Sequence, residues 1–464
     1  MAKPGTPTIQ KQKQHVRARS SSGTRAAPPT PAGLQARELA VSLLTAVLSE
    51  GRSLDSTIAR TPQTAPLEPR DRALARLIAA TVLRRLGQLE AVLGGYLEKP
   101  LPKRQGGLWP ILLSGAAQLL FLDTPPHAAV GLAVEQARRD RNAARYDKLV
   151  NALLRRAARE GREAIAAQDS VALNIPAWLM QRWRKAYGGE VAQRIAAASL
   201  VEAPLDIAVK SDSQAWADRL GGELLPTGTV RLASGGRIDA LPGFAEGAWW
   251  VQDAAAALPA RLLGPLAGKS AVDLCAAPGG KTAQLAAAGA AVTAVDVSAA
   301  RLQRLGTNMK RLQLEAELVA ADAAVWSPGR TFDAVLLDAP CTATGTIRRH
   351  PDILRLKRPE DASALAELQA KLLDQAAMLV APGGTLVYCT CSLEPEEGIL
   401  QIERFLAAQP RFSRRPLVPG EAGIAAEWIT PEGDLRTLPF HLPRERPEMS
   451  GLDGFYAARL VLGH

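Results

Sequence analysis

The side chains with the most chemistry to offer are four cysteines and a series of aspartates, all beyond residue 270: Cys275, Cys341, Cys389 and Cys391 among the thiols. Ala271-Val272-Asp273-Leu274-Cys275 reads as a strand. It runs into Ala276-Ala277-Pro278-Gly279-Gly280-Lys281-Thr282 and then a helix from Ala283 to Ala288. A strand, a glycine-rich turn and a helix N-terminus bring backbone N–H groups close to a nucleotide-like ligand. Gly279 and Gly280 allow that approach. A phosphate-binding P-loop would need glycine where Cys275 stands, and the GxGxxG loop of dinucleotide folds is absent. The turn is therefore expected to hold a cofactor other than ATP or NAD.

Three further strands follow, Ala291–Val295, Ala316–Ala320 and Phe332–Leu337, ending at or near Asp296, Asp322 and Asp338. With Asp273 they give four acids in phase at the C-terminal tips of parallel strands, facing one crevice. A lone aspartate there is often only a turn former; four in phase argue for a site. Asp296, at the second tip, is placed to accept hydrogen bonds from ribose hydroxyls. Asp338 opens Asp338-Ala339-Pro340-Cys341, and a fifth strand, Thr385–Thr390, leads into Thr390-Cys391-Ser392. Two thiols thus reach neighbouring tips. A buried cysteine is more often a small hydrophobe, the reading taken for Cys275 and Cys389. No metal is expected, because the five histidines are scattered and Cys389 with Cys391 cannot complete a tetrahedral site.

The elements that must position these groups follow from pattern. The chain has 464 residues, 47% of them apolar, which implies several domains rather than one core. Residues 1–33 are rich in Pro, Ser and Thr, carry Lys3, Lys11, Lys13, Arg17, Arg19 and Arg25, and precede the first acid, Glu38. They read as a disordered basic arm without the apolar stretch of a signal peptide. Residues 34–162 carry the helical apolar period, with Ile111 to Leu122 as the central helix of a bundle. Residues 163–246 read as a small α+β RNA-binding unit, with strands near Leu205–Lys210 and Thr229–Leu232 and turns at Gly221-Gly222 and Gly235-Gly236. Residues 247–464 alternate strands with Ala- and Leu-rich helices, the pattern of a parallel α/β sheet. The formal net charge of +10 fits a polyanionic partner, and Lys148 and Arg155 share the outer face of one bundle helix. No apolar run is long enough to span a membrane. With four cysteines and no export signal, the setting expected is reducing and cytoplasmic.

Taken together, Asp273-Leu274-Cys275-Ala276-Ala277-Pro278-Gly279-Gly280-Lys281-Thr282, Asp338-Ala339-Pro340-Cys341 and Thr390-Cys391-Ser392 resemble the RNA 5-methylcytosine methyltransferases of the NOL1/NOP2/Sun family. The likeness spans roughly residues 165–464 and includes Val251-Gln252-Asp253, Arg348-Arg349-His350-Pro351-Asp352 and Asp453-Gly454-Phe455. It departs at Ile353-Leu354-Arg355, where the family usually has a Lys-Trp pair. Arg70-Asp71-Arg72-Ala73, Pro125-Pro126-His127-Ala128-Ala129-Val130 and Lys148-Leu149-Val150-Asn151-Ala152-Leu153-Leu154-Arg155 resemble the NusB-type domain of the bacterial RsmB/Sun-type members.

The resemblance implies a NusB-like bundle, the small α+β unit and a Rossmann-like class I S-adenosylmethionine methyltransferase domain. Its substrate would be 16S rRNA, naked or within an assembly intermediate, with no oligomer required. S-adenosylmethionine would rest on Cys275, Ala276, Ala277, Pro278, Gly279, Gly280 and Lys281, with Asp296 on the ribose, Asp322 near the adenine edge and Asp338 alongside. Cys391 would attack the base, Asp338 would hold the ring nitrogen and Cys341 would assist release. DNA cytosine methyltransferases use the Pro-Cys thiol for attack, so the swapped assignment stays open. Lys148, Arg155, Arg348, Arg349 and His350 are the RNA contacts it suggests. A different RNA such as tRNA, or a non-catalytic NusB-like RNA-binding factor, are the rival functions.

Overall fold

The computed structural model describes residues 1–2, 5, 31–60, 67–101, 106–233 and 237–463. Nearly all of the basic arm and the Gly235-Gly236 turn lie outside these residues. The N-terminal bundle comprises α1 (Leu34–Leu48), α2 (Leu54–Arg60), α3 (Pro69–Arg84), α4 (Leu86–Tyr96), α5 (Leu108–Leu120), α6 (Pro126–Arg139) and α7 (Asp147–Ala166). Helix α5 is buried from Ile111 to Leu120 because it sits at the bundle centre, and its one amide there, Gln118, donates to the Ser114 carbonyl. The amphipathic α7 turns Val150, Leu153, Leu154 and Ala157 inward. The two helices pack closely: a Cβ on Gly115 would stand 2.5 Å from Leu154 Cδ1. The bundle docks directly on the C-terminal half. Leu54 N–H donates to Asp352, Arg84 to the Arg348 carbonyl, and Asp55 bonds His350 at 3.1 Å.

Three short helices, α8 (Ser170–Asn174), α9 (Ala177–Tyr187) and α10 (Gly189–Ser199), lead into a small antiparallel sheet. Its strands are β1 (Leu205–Val209), β2 (Glu223–Leu224), β3 (Val230–Leu232) and β4 (Trp249–Val251), in the order β2-β3-β1-β4, with α11 (Ser213–Leu220) packed on it. Its core is Ile207, Ala217, Val230, Leu232 and Trp249. β4 pairs with β1, so Trp249–Val251, counted by pattern in the 247–464 unit, completes the small sheet.

The large sheet holds β5 (Ser270–Leu274), β6 (Ala291–Asp296), β7 (Glu317–Ala320), β8 (Phe332–Asp338), β9 (Val380–Thr390), β10 (Phe412–Arg414), β11 (Leu435–Thr437) and β12 (Phe455–Leu462). The order is β10-β12-β9-β8-β5-β6-β7, with β11 on the side of β12. The five strands expected from pattern are parallel; β5, β6, β8 and β9 carry the buried apolar runs, and β7 is largely exposed at the edge. The sheet as a whole is mixed, because β12 returns antiparallel against β9, Tyr456 opposite Thr390 and Val461 opposite Thr385. That strand covers what would have been an open β9 edge and makes β9 a central strand.

Candidate active site

The first tip is built by a conformational requirement. Gly279 has φ 103°, and a Cβ there would stand 2.6 Å from Leu305 Cγ, so only glycine lets the turn lie against the helix Ala299–Leu312. Gly280 opens the helix Gly280–Ala287. Beneath it Asp273 is fully buried and accepts a 2.6 Å hydrogen bond from Thr282 Oγ1, while its other oxygen has no partner. Asp273 therefore does not face the crevice, contrary to expectation; it anchors the turn from behind. Burial pushes its carboxyl up to about 7, with the Thr282 hydroxyl pulling the other way. The folded value lies above the unfolded one, so this group's contribution to stability is complete below about pH 4 and lost as pH rises through about 7. Asp273→Asn keeps an acceptor for Thr282 and should remove that slope, worth roughly 2–4 kcal/mol by urea unfolding at pH 4–7. Parallel slopes in the two proteins would count against a neutral Asp273.

Asp296 is 1% exposed and already spent on backbone. One oxygen accepts from Ser298 N–H at 2.9 Å, the other from Ala277 N–H at 3.1 Å and lies 3.3 Å from Arg301. Asp322 is exposed and accepts from Ala324 N–H at the start of the next turn. Asp338 is the acid that opens to the crevice. Lys281 Nζ stands 2.8 Å from one of its oxygens, and Cys389 Sγ lies 3.5 Å from the other. Burial works against the Lys281 charge, but Asp338 more than offsets it, so the ammonium is held above its ordinary range. The Lys281 Nζ also lies 4.9 Å from the centroid of the Phe455 ring, a cation–π contact.

The thiols divide into two kinds. Cys275, in a left-handed turn position at φ 61°, is pushed up to about 12 by burial and by Asp338 and Asp296. Burial and Asp338 also raise the fully buried Cys389. Neither is poised to ionise. Cys341 and Cys391 are partly exposed, and their Sγ atoms are 3.5 Å apart. Their mutual hydrogen bond, then burial, raises the Cys341 thiol.

A cavity of about 460 Å³ opens beside these tips, lined by Ala276, Pro278, Gly279, Gly280, Lys281, Asp338, Trp250, Gln252, Asp253, Arg349, His350 and Asp453 among others. Its size, apolar wall and few convergent polar groups suit a nucleoside-bearing cofactor. Cys275, Ala277, Asp296 and Asp322 stand outside its lining.

Arg348 and Arg349 correct another expectation. Arg348 is 2% exposed and donates to the Ser450 carbonyl at 2.7 Å, so it braces the interior and cannot serve as a surface RNA contact. Arg349 bridges Asp253 at 2.6 Å and Asp453 at 3.1 Å, while Asp453 N–H donates to Asp253. Three motifs far apart in sequence are thereby gathered by one guanidinium. His350 is partly exposed but committed to Asp55. Lys148 and Arg155 are exposed on α7, and among the described residues Arg155 bonds only the neutral Asn151. Sequence reasoning gave no role to Asp253 and Asp453 and passed over Glu397, whose Pro395-Glu396-Glu397 setting reads as a charged surface loop although the side chain is fully buried.

Residues 260–461 match the family model described as 16S rRNA methyltransferase RsmB/F, and residues 34–159 match the NusB family. The ribosomal RNA small subunit methyltransferase B of Vibrio cholerae is 39% identical over 418 residues, covering 84% of this chain and 95% of that protein. The protein of the same name from Xylella fastidiosa is 39% identical over 92% of this chain and 98% of its own. Among solved structures, PH0851 superposes with a TM-score of 0.69 over 94% of this chain at 24% identity, covering 99% of its own, a likeness of fold. A methyltransferase homolog from Pyrococcus horikoshii gives 0.51 over 61% of this chain and 93% of its own at 28% identity.

Proposed function

The chain belongs to the 16S rRNA methyltransferase RsmB/F family and is an S-adenosylmethionine-dependent RNA methyltransferase, and from that premise we propose that it methylates carbon 5 of one cytosine in small-subunit ribosomal RNA through a covalent Cys391 adduct. The observation that carries the reading is the pair of thiols in contact, Cys341 and Cys391, with Asp338 three residues before Cys341 on the same strand tip. Carbon 5 of cytosine is a poor nucleophile until something adds at carbon 6. The Cys391 thiolate adds there, and the ring becomes an enamine whose carbon 5 can accept an electrophile. The ring nitrogen needs a proton as charge develops: Asp338, protonated from the Lys281 ammonium beside it, donates that proton and takes it back when the carbon 6–sulfur bond breaks. When bound, S-adenosylmethionine would supply the methyl group from its sulfonium; the turn from Cys275 to Lys281 would hold it, with Asp296 proposed for the ribose hydroxyls and Asp322 for the adenine edge. Cys341 assists the last stage, when the carbon 5 proton leaves, the electron pair returns to the ring and the Cys391–carbon bond breaks. The base must be unstacked to reach two recessed thiols, so a loop or a flipped nucleotide is the substrate.

A 5-methylcytosine map of total RNA from cells lacking this chain tests the assignment. Loss of one site in small-subunit RNA is the expected result. A site lost from tRNA instead would move the substrate, and a complete map would sink the chemistry.

RNA affinity should fall steeply with salt, because each phosphate contact releases counterions. Lys148 and Arg155 supply part of that term through α7. Lys148→Ala and Arg155→Ala should each flatten the log–log salt slope by about 1 and leave turnover at saturating RNA intact. A slope that neither variant changes would remove α7 from the RNA surface.

A further inference from the structure

Both thiols sit on loops, and loops do not hold two sulfur atoms at contact distance unless something ties their flanks. One buried side chain does so here. The Glu397 carboxylate accepts from Thr342 N–H at 2.9 Å and from the Thr342 hydroxyl, next to Cys341. It also accepts from the Ser392 hydroxyl, next to Cys391. The Glu397 backbone carbonyl takes the Thr390 hydroxyl at 3.0 Å, on the other side of Cys391. Gln369 completes the frame, donating to Glu397 at 3.0 Å and to the Pro340 carbonyl, on the other side of Cys341, at 2.9 Å. All four residues flanking the two thiols therefore end on Glu397 or on its partner Gln369.

We propose that Glu397 is the positioning residue that sets the spacing and the division of labour of Cys341 and Cys391. Two N–H donors and two hydroxyls converge on its carboxyl, an arrangement that favours the ionised form. A negative charge held by both the N–H and the hydroxyl of Thr342 disfavours a thiolate on the adjoining Cys341. It contributes to raising Cys341, after the hydrogen bond with Cys391, burial and the Cys391 charge. Burial raises Glu397 itself while its donors oppose the shift. The other groups around the pair are already engaged. Tyr388 donates to the Glu397 carbonyl, Glu394 is paired with Arg182, and Arg436 donates to the Ser392 carbonyl. Cys341 is thus kept as the protonated member, and Cys391 is left free to attack. A buried carboxylate that merely completes a loop would fix the fold but would not sort the two thiols.

The inference rests on the two-thiol reading above, so its test separates them. Carboxymethylation of Cys341 and Cys391 is followed by peptide mass spectrometry across pH, on the full chain without RNA. Glu397→Gln should lower the Cys341 midpoint by about one pH unit and shift Cys391 less. In single turnover the same variant should lose roughly 100-fold, with the KM for S-adenosylmethionine within about twofold. Glu397→Asp keeps the charge but not the reach. It should leave the Cys341 midpoint near wild type while turnover still falls, which covers the case in which Glu397→Gln does not fold. A Cys341 midpoint unmoved in Glu397→Gln, or lowered equally in Glu397→Asp, overturns the proposal. If the midpoint shifts as expected but wild type forms no adduct with 5-fluorocytosine RNA, the covalent chemistry fails and the sorting of the thiols stands.

Discussion

Cys391→Ala should lose methylation by at least about four orders of magnitude while S-adenosylmethionine and RNA still bind, because the ring is never activated. Cys341→Ala should fail later: the adduct forms but its breakdown is slow. RNA then stays attached to the protein through a denaturing gel. An RNA carrying 5-fluorocytosine at the target should trap the wild type in the same way, since fluorine cannot leave as a proton does. The 3.5 Å separation of the two sulfur atoms makes the experiment decisive. Either thiol could reach the same carbon, so proximity alone does not choose between them. The swapped roles predict adduct from Cys391→Ala and none from Cys341→Ala. No adduct from any of these proteins would mean that the methyl goes to a more nucleophilic atom of the base. The two remaining thiols serve as controls. Cys275 and Cys389 are raised by burial, so Cys275→Ser and Cys389→Ser should leave adduct formation to the other pair.

Much of this site was legible in the sequence because strand tips are periodic objects. A run such as Ala271–Leu274 or Phe332–Leu337 announces a buried parallel strand, and the residue after it must emerge at the same edge of the sheet. That reasoning brings Cys341 and Cys391 together, and the structure has them in contact. It fails where the polar side chain turns inward. Asp273 keeps the alternation of the other tip acids but lies opposite Ala294 and Leu336, two residues short of Asp296 and Asp338, so its short carboxylate stays under the turn and meets Thr282. Arg348 fails for a similar reason. A run of three cationic residues looks like a phosphate clamp, but the segment is wedged between the bundle and the sheet, and two of its side chains must satisfy buried carbonyls and carboxylates. Glu397 had no signal at all. Its importance lies in what converges on it from residues 340–342, 369 and 390–392, and long-range convergence leaves no trace in local pattern. The antiparallel β12 was missed because Phe455–Leu462 carries the same apolar signature in either direction.

Arg349→Ala should be the most damaging change outside the reacting groups. The wild-type guanidinium neutralises Asp253 and Asp453 and stands 4.0 Å from Asp206, which is itself locked to Arg231 by two 2.8 Å hydrogen bonds. Removing it leaves two buried carboxylates side by side without their cation, and breaking a buried pair in this way costs about 3–5 kcal/mol. The loss should carry a pH signature. Burial and then Asp253 already push the Asp453 carboxyl up to about 6 in the intact cluster. Without Arg349 its folded value should rise further above the unfolded one, so the native state takes up a proton that the unfolded chain does not. The variant's deficit should therefore shrink as pH falls from 7 toward 5 and widen as pH rises. An exposed pair gives the contrast: Arg237→Ala, opposite Asp239, should unfold close to wild type at all of these pH values. Pairing Arg349→Met with Asp453→Asn should restore part of the loss, because the charge left behind is then removed as well. A single variant that unfolds like wild type at pH 7, or whose deficit does not depend on pH, would mean that water reaches the cluster and that the three motifs are held around the crevice by packing alone.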